Sequence, residues 1–169
     1  WRWISQAKES HNAKIVIVGD HVTAMPDETM ENCPVDFILT GGDWDFLLKN
    51  IIEANFDASK FECGVWYREG DTVKSTGAFK LDHDLNSTPW IDRDLVHWEL
   101  YAFKNGNFRR TPGTYIMSGR DCWHAKCTFC GWTTLYPTYR TRDPIDVVDE
   151  IEMLVKKYGI KELMDDSGS

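Results

Sequence analysis

Two short apolar runs, each stopped by glycine, constrain this chain most. They are Lys14-Ile15-Val16-Ile17-Val18-Gly19 and Val35-Asp36-Phe37-Ile38-Leu39-Thr40, the second followed by Gly41-Gly42. Runs of this kind fit strands buried on both faces of a parallel sheet. Helix signals follow each one. Pro26-Asp27-Glu28-Thr29-Met30 opens a short helix after a loop at 20–24, and Phe46, Leu47, Ile51 and Ile52 form one face of a helix over about 43–54. The alternation predicts a doubly wound α/β fold, whose ligands bind beyond the carboxyl ends of the strands. Those ends carry Gly19-Asp20-His21 and Thr40-Gly41-Gly42. Glycine there either admits a ligand to the backbone or simply makes a tight turn. Ahead of the first strand, residues 1–11 read as the end of a helix, with Trp1 and Trp3 expected in the core.

The second constraint is chemical. Three of the five cysteines, Cys122, Cys127 and Cys130, fall within nine residues at the spacing C-x4-C-x2-C. Thiolates this close converge on one metal without help from the rest of a fold. Three sulfur ligands suit an iron–sulfur cubane with one open iron. They equally suit a zinc site closed by His124 or another cysteine. A redox pair at Cys127 and Cys130 would leave Cys122 unexplained, and the next helix start is too far away to lower a thiol pKa.

The flanks of the cysteine loop are legible. Residues 113–118 are rich in β-branched and aromatic types and predict a strand. Asp143-Pro144 is a helix start, an N-cap carboxylate followed by proline at the first position. Ile145, Val148, Ile151, Val155 and Tyr158 recur at helical spacing, and Gly159 marks the stop. Residues 160–164 read as the next strand. The result is a βαβ unit whose cysteine loop leaves the first strand's C-terminal end, where parallel α/β barrels place their active sites. Between the halves, Val65–Arg68 and Thr72–Lys74 form a hairpin about Glu69-Gly70-Asp71. A short helix is expected from about 92 to 103, and Asn105-Gly106 is a turn signal.

The net charge is −8 and no basic run stands out, which argues against a nucleic-acid partner. No stretch of about 20 apolar residues predicts a membrane span. No signal peptide is visible, although the sequence begins at Trp1 and the natural start is expected to lie upstream. An odd, clustered set of cysteines suits a reducing cytoplasm better than a secreted disulfide framework.

Cys127-Thr128-Phe129-Cys130 resembles the C-x-Φ-C end of the radical S-adenosylmethionine (radical SAM) motif, with one residue added between the first two cysteines. Residues 14–48 resemble the second half of the cobalamin-binding domain fused ahead of some radical SAM domains. The matching positions are Gly19, His21, Thr23, Pro26, Glu28 and Thr29. Asp20 stands where proline is usual, and Gly41-Gly42-Asp43-Trp44-Asp45 departs from the usual glycine–glutamate alternation. Pro89-Trp90-Ile91-Asp92-Arg93-Asp94-Leu95 resembles the family's interdomain linker.

The resemblance implies an internal segment of a larger enzyme. Residues 1–63 would belong to a partial Rossmann-like cobalamin-binding domain and 64–112 to a hairpin and linker. Residues 113–169 would then be the first βαβ unit of a radical SAM partial TIM barrel. It implies a [4Fe–4S] cluster on Cys122, Cys127 and Cys130, and S-adenosylmethionine near Phe129, Asp165, Asp166 and Ser167. It also implies cobalamin near Gly19, His21, Gly41 and Gly42, with His21 as a loop hydrogen-bonding residue rather than a cobalt ligand. The implied reaction is cobalamin-dependent C-methylation of a small-molecule or peptide substrate, with cyclisation or rearrangement as other outcomes in relatives. The electron donor would be a protein such as flavodoxin or ferredoxin. The alternative is a zinc-stapled, non-catalytic interaction module.

Overall fold

The computed structural model describes residues 2–104 and 106–167, apart from the side chains of 134 and 135. The expected turn at Asn105 and the end of the chain at 168–169 lie outside these residues, as does Trp1. The chain divides into two compact units, residues 1–83 with 134–136, and residues 84–133 with 137–169.

In chain order the first unit contains α1 (Arg2–Ser10), β1 (Val16–Val18), α2 (Asp20–Ala24), α3 (Pro26–Asn32), β2 (Phe37–Leu39), α4 (Trp44–Glu53), β3 (Val65–Glu69) and β4 (Thr72–Ser75). The sheet order is β1-β2-β3-β4, with β1 parallel to β2 and both later pairs antiparallel. The hairpin expected in the connection therefore belongs to the first sheet. Its register pairs Glu69 with Thr72, leaving Gly70-Asp71 as the turn. Strand β2 is buried throughout. Successive side chains point to opposite faces: Ile38 joins Val22, Met30 and Val35, while Phe37 and Leu39 join Leu47, Ile51 and Val65.

Three expectations shift here. Strand β1 lies at the edge of the described sheet, so Val18 is 38% exposed rather than enclosed. Ile52 lies on the outer side of α4 at 57% exposure, and Trp3 is exposed on α1. The edge is tied down by a charge instead. Asp36 accepts from the Ile15 amide at 2.8 Å and from Lys8 Nζ at 2.6 Å. Burial would raise the Asp36 pKa, but that amide and the two lysines Lys8 and Lys14 outweigh it and hold the carboxyl below its ordinary range.

The second unit begins with 3₁₀ turns at 85–87 and 93–95. It continues through α5 (Trp98–Lys104), β5 (Gly113–Ile116), β6 (Gly119–Asp121), the start of the single turn α6 (Trp132–Leu135), whose last two residues count with the first unit, β7 (Tyr139–Thr141), α7 (Pro144–Tyr158) and β8 (Glu162–Asp165). Strands β5 and β8 pair in parallel across α7, the predicted βαβ unit. The predicted helix start is present: the Asp143 carboxylate accepts from the Ile145 amide at 2.7 Å, and Pro144 takes the first position. Gly159 ends the helix in the left-handed conformation.

The face of α7 differs from the apolar pattern. Ile145 and Val148 are exposed, and the buried residues are Glu150, Leu154 and Tyr158. Glu150 is 2% exposed and accepts from Arg142 Nη1 at 2.6 Å, with Arg93 Nη1 at 3.6 Å. Two guanidinium groups thus draw a carboxylate inward and turn the helix. Trp98 packs on Tyr158 with ring centroids 4.9 Å apart, whereas Tyr101 and Phe103 are exposed.

Candidate functional site

The cysteine loop spans residues 122–138 and is closed at its neck by a short antiparallel ladder. Strand β6 pairs with β7 through Gly119–Thr141, Arg120–Arg140 and Asp121–Tyr139. Gly119 is required there, because a Cβ would lie 2.6 Å from the Arg140 carbonyl oxygen. At the last pair, Asp121 adopts φ +72, and its buried carboxylate accepts from Thr138 Oγ1 at 2.8 Å and Arg140 Nη2 at 3.0 Å. Ala125, within the four-residue spacer between Cys122 and Cys127, is a second left-handed residue, at φ +43.

Cys122, Cys127 and Cys130 are half-buried and carry no disulfide. The Cys130 amide donates to the Cys127 carbonyl at 3.3 Å, and the Thr133 amide donates to the Cys130 carbonyl at the same distance. These turns put Cys127 and Cys130 at the two ends of one tight bend leading into α6. Phe129, between them, is 90% exposed. Among the described residues, no three His, Cys, Asp or Glu side chains are already gathered around a point where a metal ion would sit. The donor set nevertheless fits a thiophilic metal, since three unoxidised thiols share one loop. His124 packs edge-on against Trp123 in the exposed part of the loop.

Asp165 lies at the same end of the strand pair as this loop. Its carboxylate accepts from the amide and hydroxyl of Ser118, between β5 and β6. The Asp166 amide donates to the Ile116 carbonyl at 2.9 Å, and Ser167 is buried. The parallel pairing therefore brings Asp165 and Asp166 to the root of the cysteine loop. A cavity of about 50 Å³ nearby is lined by Thr88, Met117, Arg142 and Glu150, room for water rather than a substrate.

In the first unit, Thr23 joins the two glycine loops. Its hydroxyl donates to the Gly19 carbonyl at 2.8 Å and accepts from the Gly41 amide at 3.0 Å. The glycines themselves differ. Gly19 has φ +118 and open space where a Cβ would be. Gly41 has φ +83, and a Cβ there would lie 2.5 Å from the Phe79 ring. The close approach expected at Gly41 is thus made by the chain's own Phe79. His21 is exposed on α2, and Gly42 is half-buried. Asp43, expected only as part of a helix start, makes no side-chain cap bond; its carboxylate faces His83.

Phe79, His83, Asp121, Thr138 and Arg140 carry much of this geometry, and none was a candidate from sequence. The signal available for Asp121 was weak: aspartate tolerates the left-handed region better than most residues.

No protein-family model matches the chain. It is 31% identical over 156 residues to the anaerobic magnesium-protoporphyrin IX monomethyl ester cyclase of Cereibacter sphaeroides, covering 88% of this chain and 24% of that protein. The enzyme of the same name from Rubrivivax gelatinosus is 30% identical over 168 residues, covering 94% and 29%. An uncharacterised methyltransferase of Pyrococcus horikoshii is 25% identical over 157 residues, covering 91% and 33%. The radical S-adenosylmethionine methyltransferase TsrM from Kitasatospora setae, solved with cobalamin and a [4Fe–4S] cluster bound, superposes with a TM-score of 0.58.

The chain resembles cobalamin-dependent radical SAM enzymes.

The TsrM superposition covers 98% of this chain and 33% of TsrM at 18% identity, so it speaks to the α/β fold with its mixed sheet. The chain spans a quarter to a third of the length of these relatives. Among the described residues, no helix is long and apolar enough to cross a membrane.

Proposed function

We propose that the chain carries the junction of a cobalamin-dependent radical SAM enzyme. Its first unit belongs to the cobalamin-binding part, and its second opens the radical SAM barrel. One observation carries the reading: three free thiols sit on a loop that follows the C-terminal end of a parallel strand pair. That is the end at which α/β barrels perform chemistry. When bound, the cluster supplies the electron that cleaves S-adenosylmethionine, and cobalamin carries the methyl group.

The chain's own residues hold and orient these groups. Cys122, Cys127 and Cys130 are the thiolate ligands of the cluster. Phe129 offers its exposed ring to the adenine. Asp165 is held by Ser118, and with Asp166 and Ser167 it receives the ammonium group of S-adenosylmethionine. Gly19, where a Cβ would meet open space, and His21, Gly41 and Gly42 would hold cobalamin. The reaction is C-methylation of a small-molecule or peptide substrate in the cytoplasm, with electrons from a flavodoxin or ferredoxin. The methyltransferase names of two relatives support methylation, and the cyclases make ring formation the alternative.

The test is anaerobic reconstitution with iron and sulfide, followed by metal and sulfide analysis and EPR. About four irons and four sulfides per chain are expected, with a signal that changes on adding S-adenosylmethionine. One tightly held zinc and no iron would overturn the reading.

A further inference from the structure

We propose that Asp121 is a positioning residue for the first cysteine ligand, clamping the two ends of the cysteine loop together. The inference rests on reading Cys122, Cys127 and Cys130 as metal ligands. The loop's neck has only three ladder pairs, and the pair nearest the cysteines is Asp121–Tyr139. Beyond it the ladder stops, and Cys122 follows at once. Asp121 continues the closure with its side chain. Its carboxylate spans the neck to Thr138 Oγ1 and to Arg140 Nε and Nη2, at 2.8, 3.2 and 3.0 Å. That side chain is 4% exposed and the Arg140 side chain 15%, so the pair is shielded from solvent competition.

The backbone gives the clamp its consequence. At φ +72 Asp121 occupies a left-handed conformation that aspartate tolerates but does not prefer, and its side-chain contacts favour it there. That dihedral sets the direction in which the chain leaves toward Cys122. If it relaxes, the first thiol swings away from Cys127 and Cys130. The longer C-x4-C spacing makes this control more important, because the spacer already passes through a second left-handed residue, Ala125, before reaching Cys127. The carboxylate thus acts on the metal site through Cys122 and touches no cofactor itself.

The test compares wild type, Asp121→Gly and Asp121→Asn after anaerobic reconstitution with ferrous iron and sulfide. Glycine accepts φ +72 without strain but has no carboxylate. Asparagine tolerates the same backbone and keeps an acceptor oxygen for Thr138 and Arg140. Iron release to a chelator and the EPR line shape are read alongside the unfolding midpoint of the metal-free proteins. Loss of the clamp is expected to speed release about ten- to a hundred-fold in Asp121→Gly, with near-wild-type release in Asp121→Asn. Unchanged release and line shape in Asp121→Gly would overturn the proposal. If wild type takes up zinc and no iron, the cluster reading fails, and zinc release from the same variants decides the clamp by the same ratio. A wild type that binds neither metal overturns both.

Discussion

His83 Nδ1 lies 2.8 Å from Asp43 Oδ2, and its Nε2 lies 2.9 Å from Glu62 Oε2. Both ring nitrogens face carboxylate oxygens, an arrangement that suits a doubly protonated imidazolium. Phe46 stacks on the ring at 4.4 Å, and Asp43 is 1% exposed. Burial of the imidazole opposes its charge, but the two carboxylates outweigh this and hold the His83 pKa above its ordinary value. A raised histidine pKa stabilises the fold fully below the unfolded value of about 6.5, and the gain is lost as pH rises through the folded value. Urea midpoints of wild type are therefore expected to fall across that interval, and the His83→Gln profile is expected to be flatter there. Parallel profiles would show that the bridge contributes nothing.

Glu150 is a carboxylate sealed between two arginines. Glu150→Ala takes a counter-charge from the buried Arg93 and leaves the half-buried Arg142 with Asp146 as its carboxylate partner. A loss of about 3–5 kcal/mol is expected from denaturant unfolding. Glu150→Gln keeps hydrogen-bonding atoms in place and is expected to cost less. A change under about 1 kcal/mol in Glu150→Ala would mean that the network is solvated in solution.

Gly41→Ala meets two obstacles, a left-handed backbone and the Phe79 ring. The backbone alone costs about 1–2 kcal/mol. The clash adds to this, so Phe79→Ala in the same chain is expected to recover part of the loss and leave the backbone share. A double-mutant cycle on urea midpoints measures the coupling. Strict additivity would mean that Phe79 does not cover Gly41 in solution.

Cys127→Ala removes one end of the bend that joins Cys127 and Cys130. Iron bound after reconstitution is expected to fall to a small fraction of wild type, on the order of a tenth or less. Cys63→Ser, outside the loop, is expected to keep full iron content. Iron analysis of the two variants side by side separates a ligand from a bystander thiol.

Much of this fold depends on short-range rules, and that part was legible. The Asp143-Pro144 start and Gly159 stop of α7, the turn at Gly70-Asp71 and the parallel β5–β8 pair stand where local pattern puts them. The cysteine spacing singled out three candidate ligands and by itself left iron–sulfur and zinc open. Periodicity failed where a charge outweighed it. Ile145 and Val148 recur at helical spacing yet are exposed, because Glu150 is drawn inward by Arg142, just ahead of the helix, and by Arg93 from the preceding connection. Trp3 and Ile52 failed for a related reason: an apolar side chain is buried only where another element covers it, and nothing local says which side that is.

The sequence by itself determined most of the elements, the two caps of α7 and the three thiols, because each follows from neighbours a few residues apart; it read residues 20–24 as a loop where α2 forms, and it left β6 and β7 unassigned. Only the tertiary structure decided that the 65–75 hairpin extends the first sheet, that Phe79 covers Gly41 and that β7 returns to close the cysteine loop. It alone brought Asp121 to Arg140 and His83 to Asp43. Those pairings join residues far apart in the chain, and their strength comes from burial, which exists only once the chain has folded around them.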